Sequence, residues 1–328
     1  MKTSRLLIIP IIIAIATIAV IRLNNPAQPV VNETAEPTNK PIIVTTLFPF
    51  YDISKQLLLD NAEVSLLVPP GVEPHSFEPT PQDIVKIQEA DIFIYTGDAM
   101  EPWVKDIVAT IPESVKLINA SEGINLIHSQ DDHSHEDEHG HENEKKDNQA
   151  KSDLDPHFWL DFNNSIIATN TISKAISELN IIDNNNLKQN TTSLIQDIEQ
   201  LDDDYKNTLS QCSNKTILQA GHRTFEYLAT KYNLEYITTE ELSPNSETSA
   251  QDMAKLIQEV RRTQAKAIFS EELIEPRIAN TISTETGVPV LQLNGAHNVS
   301  SEQLISEISF VDIMRKNLEN LKVGLDCK

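Results

Sequence analysis

Three of the nine histidines stand where metal chemistry is expected. His75 lies in GVEPHSFEPTPQD, directly after the apolar run VSLLVPP and ahead of a helical pattern. His222 lies in ILQAGHRTFEYL, which again reads as strand, loop and helix. Both therefore fall at the carboxyl ends of parallel strands, the edge at which open α/β sheets bind ligands. His157 comes in DLDPHFWLDF, a rigid turn of aromatic and acidic residues at the start of a helix. A lone histidine is usually an ordinary residue, but three imidazoles sharing one topological position make a site suited to Zn2+, which prefers nitrogen ligands in tetrahedral geometry. Asp155 and Asp161 flank His157, and Glu78 follows His75 by three residues. Each could accept the other ring N–H and fix a tautomer. Helix capping is the competing role for Asp161, as it is for Thr80.

Five further histidines, His128, His133, His135, His139 and His141, fall in and beside the acidic stretch DDHSHEDEHGHENEKKDN. A segment this polar cannot bury enough surface to fold alone, but it presents imidazoles beside carboxylates and is expected to collect metal weakly and quickly. Neutral imidazole is the binding form, so both loop and site are expected to lose metal as pH falls through about 6.5 and below.

The elements that must position these residues are legible as an alternation. PIIVTT, VSLLVPP, ADIFIYTG and VKLINAS read as short strands separated by amphipathic helices, and the pattern restarts with KTILQAG, LEYITT, KAIFSE and PVLQLN. Short β-rich runs alternating with helices predict α/β lobes, each with a central, mostly parallel sheet flanked by helices. Between them, residues 162–179 and 186–211 contain no Gly or Pro and predict long helices that join the lobes stiffly. The expected division is a signal or anchor at 1–23, a polar tether at 24–40 with Pro26, Pro29 and Pro37, a first lobe at 41–160 carrying the histidine-rich loop at about 128–152, a linking helix at 161–185, and a second lobe at 186–328.

A chain of 328 residues is long enough for two cores. Acids outnumber bases by 49 to 26, with no basic stripe interleaved with aromatics, which excludes nucleic acid as an expected partner and favours cations. Lys2 and Arg5 precede an apolar run from Leu6 to Ile21, the layout of an export signal. The run leaves open a cleaved signal or an uncleaved membrane anchor, and either gives an extracytoplasmic protein. Cys212 and Cys327 are the only cysteines, and in an exported chain one structural disulfide is expected.

The stretches TLFPFYDI, GVEPHSFEPTPQD, DPHFWLDFNNSI, GHRTFEYLATKYNL and FSEELIEPRIANTISTETGVPVLQLN resemble, in order, the metal-binding solute-binding proteins of zinc and manganese ABC importers. The resemblance covers about residues 41–325 and implies a two-lobed fold, no enzymatic reaction, and a metal site between the lobes with His75, His157 and His222 as ligands. Histidine rather than glutamate at the third position favours zinc over manganese. The resemblance also implies a fourth, carboxylate ligand in an LDPLG-like segment, but this chain reads LQLNGAHN there. Asn294 replaces the carboxylate, and the fourth ligand is open among Glu73, His297, Asn294 and water.

The function implied is high-affinity zinc capture outside the cytoplasm and delivery to an ABC-type membrane permease by a monomeric receptor. Two other readings compete with it. An extracellular zinc hydrolase would also use three protein ligands and an open position, with Glu73 as base, but no HExxH-type pair stands on a helical pattern: the one such string, HEDEH at 135–139, falls in the polar acidic stretch. A surface metal buffer or adhesin would need no transporter.

Overall fold

The structure is a computed structural model, and it describes residues 40–128, 154–238, 250–271 and 277–328. The apolar run 6–21, the tether up to residue 39, and His133, His135, His139 and His141 lie outside the described residues. No described helix is long and apolar enough to cross a membrane.

The first sheet comprises β1 (Ile42–Thr45), β2 (Glu63–Leu66), β3 (Ile92–Tyr95) and β4 (Lys116–Asn119) in the order β2-β1-β3-β4. The second comprises β5 (Thr216–Ala220), β6 (Glu235–Thr238), β7 (Ile268–Ser270) and β8 (Val290–Gln292) in the order β6-β5-β7-β8. Every pairing within both sheets is parallel, so the α/β reading holds and the sheets are wholly rather than mostly parallel.

Alternation along each strand assigns its two faces to different cores, because successive side chains point to opposite sides of a sheet. Ile43, Ile92 and Ile94 join the large central core, whereas Val44 and Phe93 face the outer layer with Ile87 and Val115. In the second sheet Ile217 and Phe269 point to the central core, while Leu218 and Ile268 pack outward with Leu256, Val260 and Ile282. One apolar cluster thus runs without a break from the inner face of one sheet to the inner face of the other.

Its backbone is helical. Helix α1 (Phe48–Leu58) follows β1, α4 (Phe162–Leu179) begins at the Asp161 cap, and α5 (Asn184–Ser210) begins at Asp183, whose carboxylate accepts from the amides of Asn185 and Asn186. Leu187, Leu194, Ile198, Leu201, Tyr205 and Leu209 give α5 a buried stripe at helical spacing. The helix packs on α1, on α4 and on α10 (Phe310–Gly324), so it belongs to both halves of the molecule and braces them. Tyr205, near its carboxyl end, donates to the carbonyl of Met314 at 2.7 Å.

The remaining helices are α2 (Pro81–Gln88), α3 (Val104–Val108), α6 (Glu226–Lys231), α7 (Ala250–Thr263), α8 (Arg277–Thr286) and α9 (Ser301–Ile305). Helix α2 opens with a capping box, Thr80 and Asp83 satisfying each other's amides. The helix between β3 and β4 is short, only α3, because the buried Glu101 turns back, accepting from Thr96 N at 2.7 Å and Gly97 N at 3.1 Å. Pro102 follows at once and cannot donate to a helical ladder. Cys212, just after α5, and Cys327, just after α10, form a disulfide.

Candidate metal centre

Four loops converge between the sheets, each leaving the carboxyl end of a strand or entering a helix. His75 sits on a single 3₁₀ turn (Pro74–Ser76) after β2, and the Glu73 carboxylate holds its amide at 3.1 Å. His157 is the residue before the turn Phe158–Leu160 that leads into α4. His222 follows β5, and His297 follows β8. His157, His222 and His297 are almost wholly buried, while His75 is partly exposed.

One ligand atom each from His75, His157 and His222 can be chosen so that all lie within 4.8 Å of one another. Nε2 of His75 is 3.1 Å from Nε2 of His157. The His222 ring centroid is 5.4 Å from that of His75 and 5.5 Å from that of His157. His297 stands slightly farther out, its centroid 5.9 Å from that of His222 and 6.1 Å from that of His157.

Carboxylates orient these rings. Asp155 Oδ1 is 2.8 Å from His157 Nδ1 and also accepts the His157 amide at 2.9 Å. Glu271 Oε2 lies 2.7 Å from His222 Nδ1, and its other oxygen accepts the His222 amide at 2.7 Å. With Nδ1 protonated toward an acid, Nε2 carries the lone pair, which is the state a metal needs. Glu73 Oε2 is 3.7 Å from His297 Nε2. Gly221 is required beside Glu271, because a Cβ there would collide with the Glu271 carboxylate.

Glu271 is itself set by a buried network. Gln219 Nε2 donates to Glu271 Oε1 at 3.1 Å and to the His222 carbonyl at 3.0 Å, and Tyr236 donates to Gln219 Oε1 at 2.9 Å. Trp159 closes the floor of the site, donating through Nε1 to the Gly295 carbonyl at 2.8 Å.

The electrostatics suit a cation better than a proton. Burial holds the His75 imidazole well below its ordinary pKa, and the nearby His157 and His222 push it the same way. Burial likewise depresses His157, helped by His222 and His297. Burial alone would raise Glu73, but its pairing with His297 and the surrounding imidazoles keep its carboxyl well below the usual range. Burial raises Asp155 to about 7 despite the His157 amide that donates to it. A dense set of neutral nitrogens with carboxylates behind them fits zinc, a borderline-soft ion that takes imidazole readily.

Other residues singled out from the sequence take different places. Glu78 is exposed and makes no hydrogen bond or ion pair with His75. Asp161 does not reach His157: it caps α4 through the Asn163 amide and pairs with Lys231 at 2.5 Å, so capping describes it. Asn294 spends its amide oxygen on the Ala296 amide at 2.7 Å, closing the turn that brings His297 inward. Its backbone is gripped by Asn317, which accepts from Asn294 N at 2.8 Å and donates to Asn294 O at 2.7 Å. His128 is exposed, in an isolated bridge with Leu154 that brings together the two ends of the acidic histidine-rich stretch. Glu271 was not anticipated; its only signal was an acid at the carboxyl end of the strand run KAIFSE.

A family model described as zinc-uptake complex component A, periplasmic (ZnuA), matches residues 43–324. The high-affinity zinc uptake system protein ZnuA of Bacillus subtilis is 34% identical over 287 residues, which span 86% of this chain and 87% of that protein. The zinc-binding lipoprotein AdcA of Streptococcus pneumoniae is 32% identical over 289 residues, 87% of this chain but 56% of AdcA. The Zn(II)-bound ZnuA-like domain of Streptococcus pneumoniae AdcA has the same fold, with a TM-score of 0.72 at 31% identity, covering 88% of this chain and 99% of that domain. With nearly the whole described body matched in both sequence and fold, the chain belongs to the ZnuA family of zinc-uptake components.

Proposed function

We propose that this protein is an extracytoplasmic zinc receptor that captures the ion at His75, His157 and His222, between a first lobe (41–160) and a second lobe (186–328), and hands it to an ABC-type permease. The observation that carries the reading is the convergence of those three imidazoles within 4.8 Å from loops of both sheets, two of them held by carboxylates. Zinc rather than manganese follows from the donor set, since hard cations such as Mn2+ prefer carboxylate and carbonyl oxygen. The fourth ligand comes from the Glu73–His297 pair, which faces the three rings, and not from Asn294, whose oxygen closes a turn.

The depressed imidazoles, kept neutral by burial and by one another, are in the form that zinc binds. A positive ion at the centre draws charge back onto Asp155, repaying part of the cost of burying it. The acidic histidine-rich stretch acts as a weak collector of the ion, and the apolar amino-terminal run directs export or anchors the chain. The relatives' names, zinc uptake and zinc-binding lipoprotein, support carriage rather than hydrolysis.

The test is reconstitution with an ABC-type zinc permease from the same cell. Zinc-loaded protein is expected to stimulate ATP hydrolysis by the permease in liposomes, and His222→Ala is expected not to. Equal stimulation by the two, or none by either, would contradict the reading.

A further inference from the structure

Residues Pro69–Val72 form a tight turn, with the Val72 amide donating to the Pro69 carbonyl at 3.0 Å and Gly71 at φ +82°. That sign of φ at the third position of a Pro-Gly turn suits glycine and disfavours other residues. The turn leads through Glu73 and Pro74 to His75. Only two residues separate its last member from the first lobe's metal-facing imidazole, so whatever holds the turn holds His75.

The second lobe holds it. Asn298, wholly buried in the loop after β8, donates both amide hydrogens to this turn, to the Pro69 carbonyl at 2.8 Å and to the Val72 carbonyl at 2.7 Å. The Gly71 amide in turn donates to the Val299 carbonyl at 2.9 Å, and the Phe48 amide to the His297 carbonyl at 3.2 Å. The tripeptide His297–Val299 thus faces the metal centre with one residue and clamps the loop bearing His75 with the next two. An asparagine amide can donate two hydrogen bonds in a fork without adding charge to a dry interface.

We propose that Asn298 is a positioning residue for zinc exchange: it latches the His75 loop of one lobe to the other, and zinc leaves when this latch opens and His75 swings away. His157 and His222 are buried and held by carboxylates, whereas His75 is partly exposed and sits on a single three-residue turn. His75 is therefore the ligand with the least holding it except the latch. The inference rests on the reading of His75 as a zinc ligand.

The test is stopped-flow release of zinc from the full-length loaded protein into excess chelator. Asn298→Ala is expected to speed release by roughly ten- to a hundred-fold, the scale on which groups behind a ligand act. On a His75→Ala background the same substitution is expected to change release little, because the ligand it positions is gone. Gly71→Ala, whose added methyl meets nothing but whose φ of +82° strains the turn that donates to Val299, is expected to shift release the same way by less, and it serves if Asn298→Ala does not fold. Release from Asn298→Ala or Gly71→Ala at the wild-type rate overturns the latch while leaving the receptor reading intact. So does an Asn298→Ala effect of full size in the absence of His75, since that marks general loosening. A wild-type protein that holds no zinc overturns both.

Discussion

Glu271 Oε2 lies 2.7 Å from Nδ1 of His222, although 49 residues separate the two in sequence. The contact is built by the sheet. Ala220 pairs with Ser270 in the β5–β7 ladder, so the next residue of each strand, Gly221 and Glu271, leaves the sheet side by side. Gly221 leaves room for the carboxylate, which then reaches the imidazole one residue on.

Replacing this carboxylate by its amide tests the role directly. Glu271→Gln keeps the volume but loses the charge that favours Nδ1–H on His222. Zinc affinity is expected to fall by about ten- to a hundred-fold with the fold retained. Competition against a chromogenic chelator measures it, and wild-type affinity in the variant would show that Glu271 serves packing alone.

The pH response has a defined sign. His75 and His157 have folded pKa values well below 6.5, so the folded protein keeps them neutral while the unfolded chain takes up protons near 6.5. The unfolded state then binds more protons below that pH, and the metal-free protein loses stability as pH falls through about 6 toward 5. Zinc binding is expected to be limited by these two rings only below pH 6.5, later than free imidazole would be. Thermal melts of metal-free protein and zinc titrations between pH 7.5 and 5 check both, and a metal-free protein equally stable at pH 7 and 5 would count against it.

Glu101 gives the opposite slope. Burial lifts its carboxyl to about 7, against the pull of the Thr96 and Gly97 groups that donate to it. The folded state therefore binds the extra proton between about 4.5 and 7, and this residue's contribution declines as pH rises through that window. Glu101→Gln is expected to remove that decline, on the order of 3 kcal/mol, and to be near neutral at acidic pH. Urea unfolding of the two proteins at pH 5 and 8 reads the difference.

The disulfide is separable from the site. Cys212 and Cys327 lie near the amino end of β5, whereas His222 lies past its carboxyl end. The bridge joins residues 115 apart, and chain entropy alone gives such a closure about 4–5 kcal/mol. Cys212→Ser with Cys327→Ser is expected to lower the melting temperature markedly and leave zinc affinity within a few-fold of wild type. A parallel loss of affinity would tie the bridge to the site.

Strands and long helices were legible because their apolar spacing is local, and PIIVTT or KTILQAG can be read without knowing its neighbours. The three central histidines were legible because each follows or precedes such an element. Glu271 was not, since its partner is chosen by sheet register across the gap between β5 and β7. Asn294 looked like a weakened ligand, but the chain uses its amide to close a turn. Glu78 and Asp161 were near histidines in sequence only: Glu78 points to solvent, and Asp161 meets the amides of α4 and Lys231 instead.

The most direct test of the metal centre is calorimetric titration of zinc into the protein, intact and with residues 129–148 deleted, each with and without His222→Ala. One tight site is expected that survives the deletion and vanishes with His222→Ala, leaving only weak binding by the histidine-rich stretch. Tight binding that disappears with the deletion and is indifferent to His222 would contradict a zinc site between the lobes.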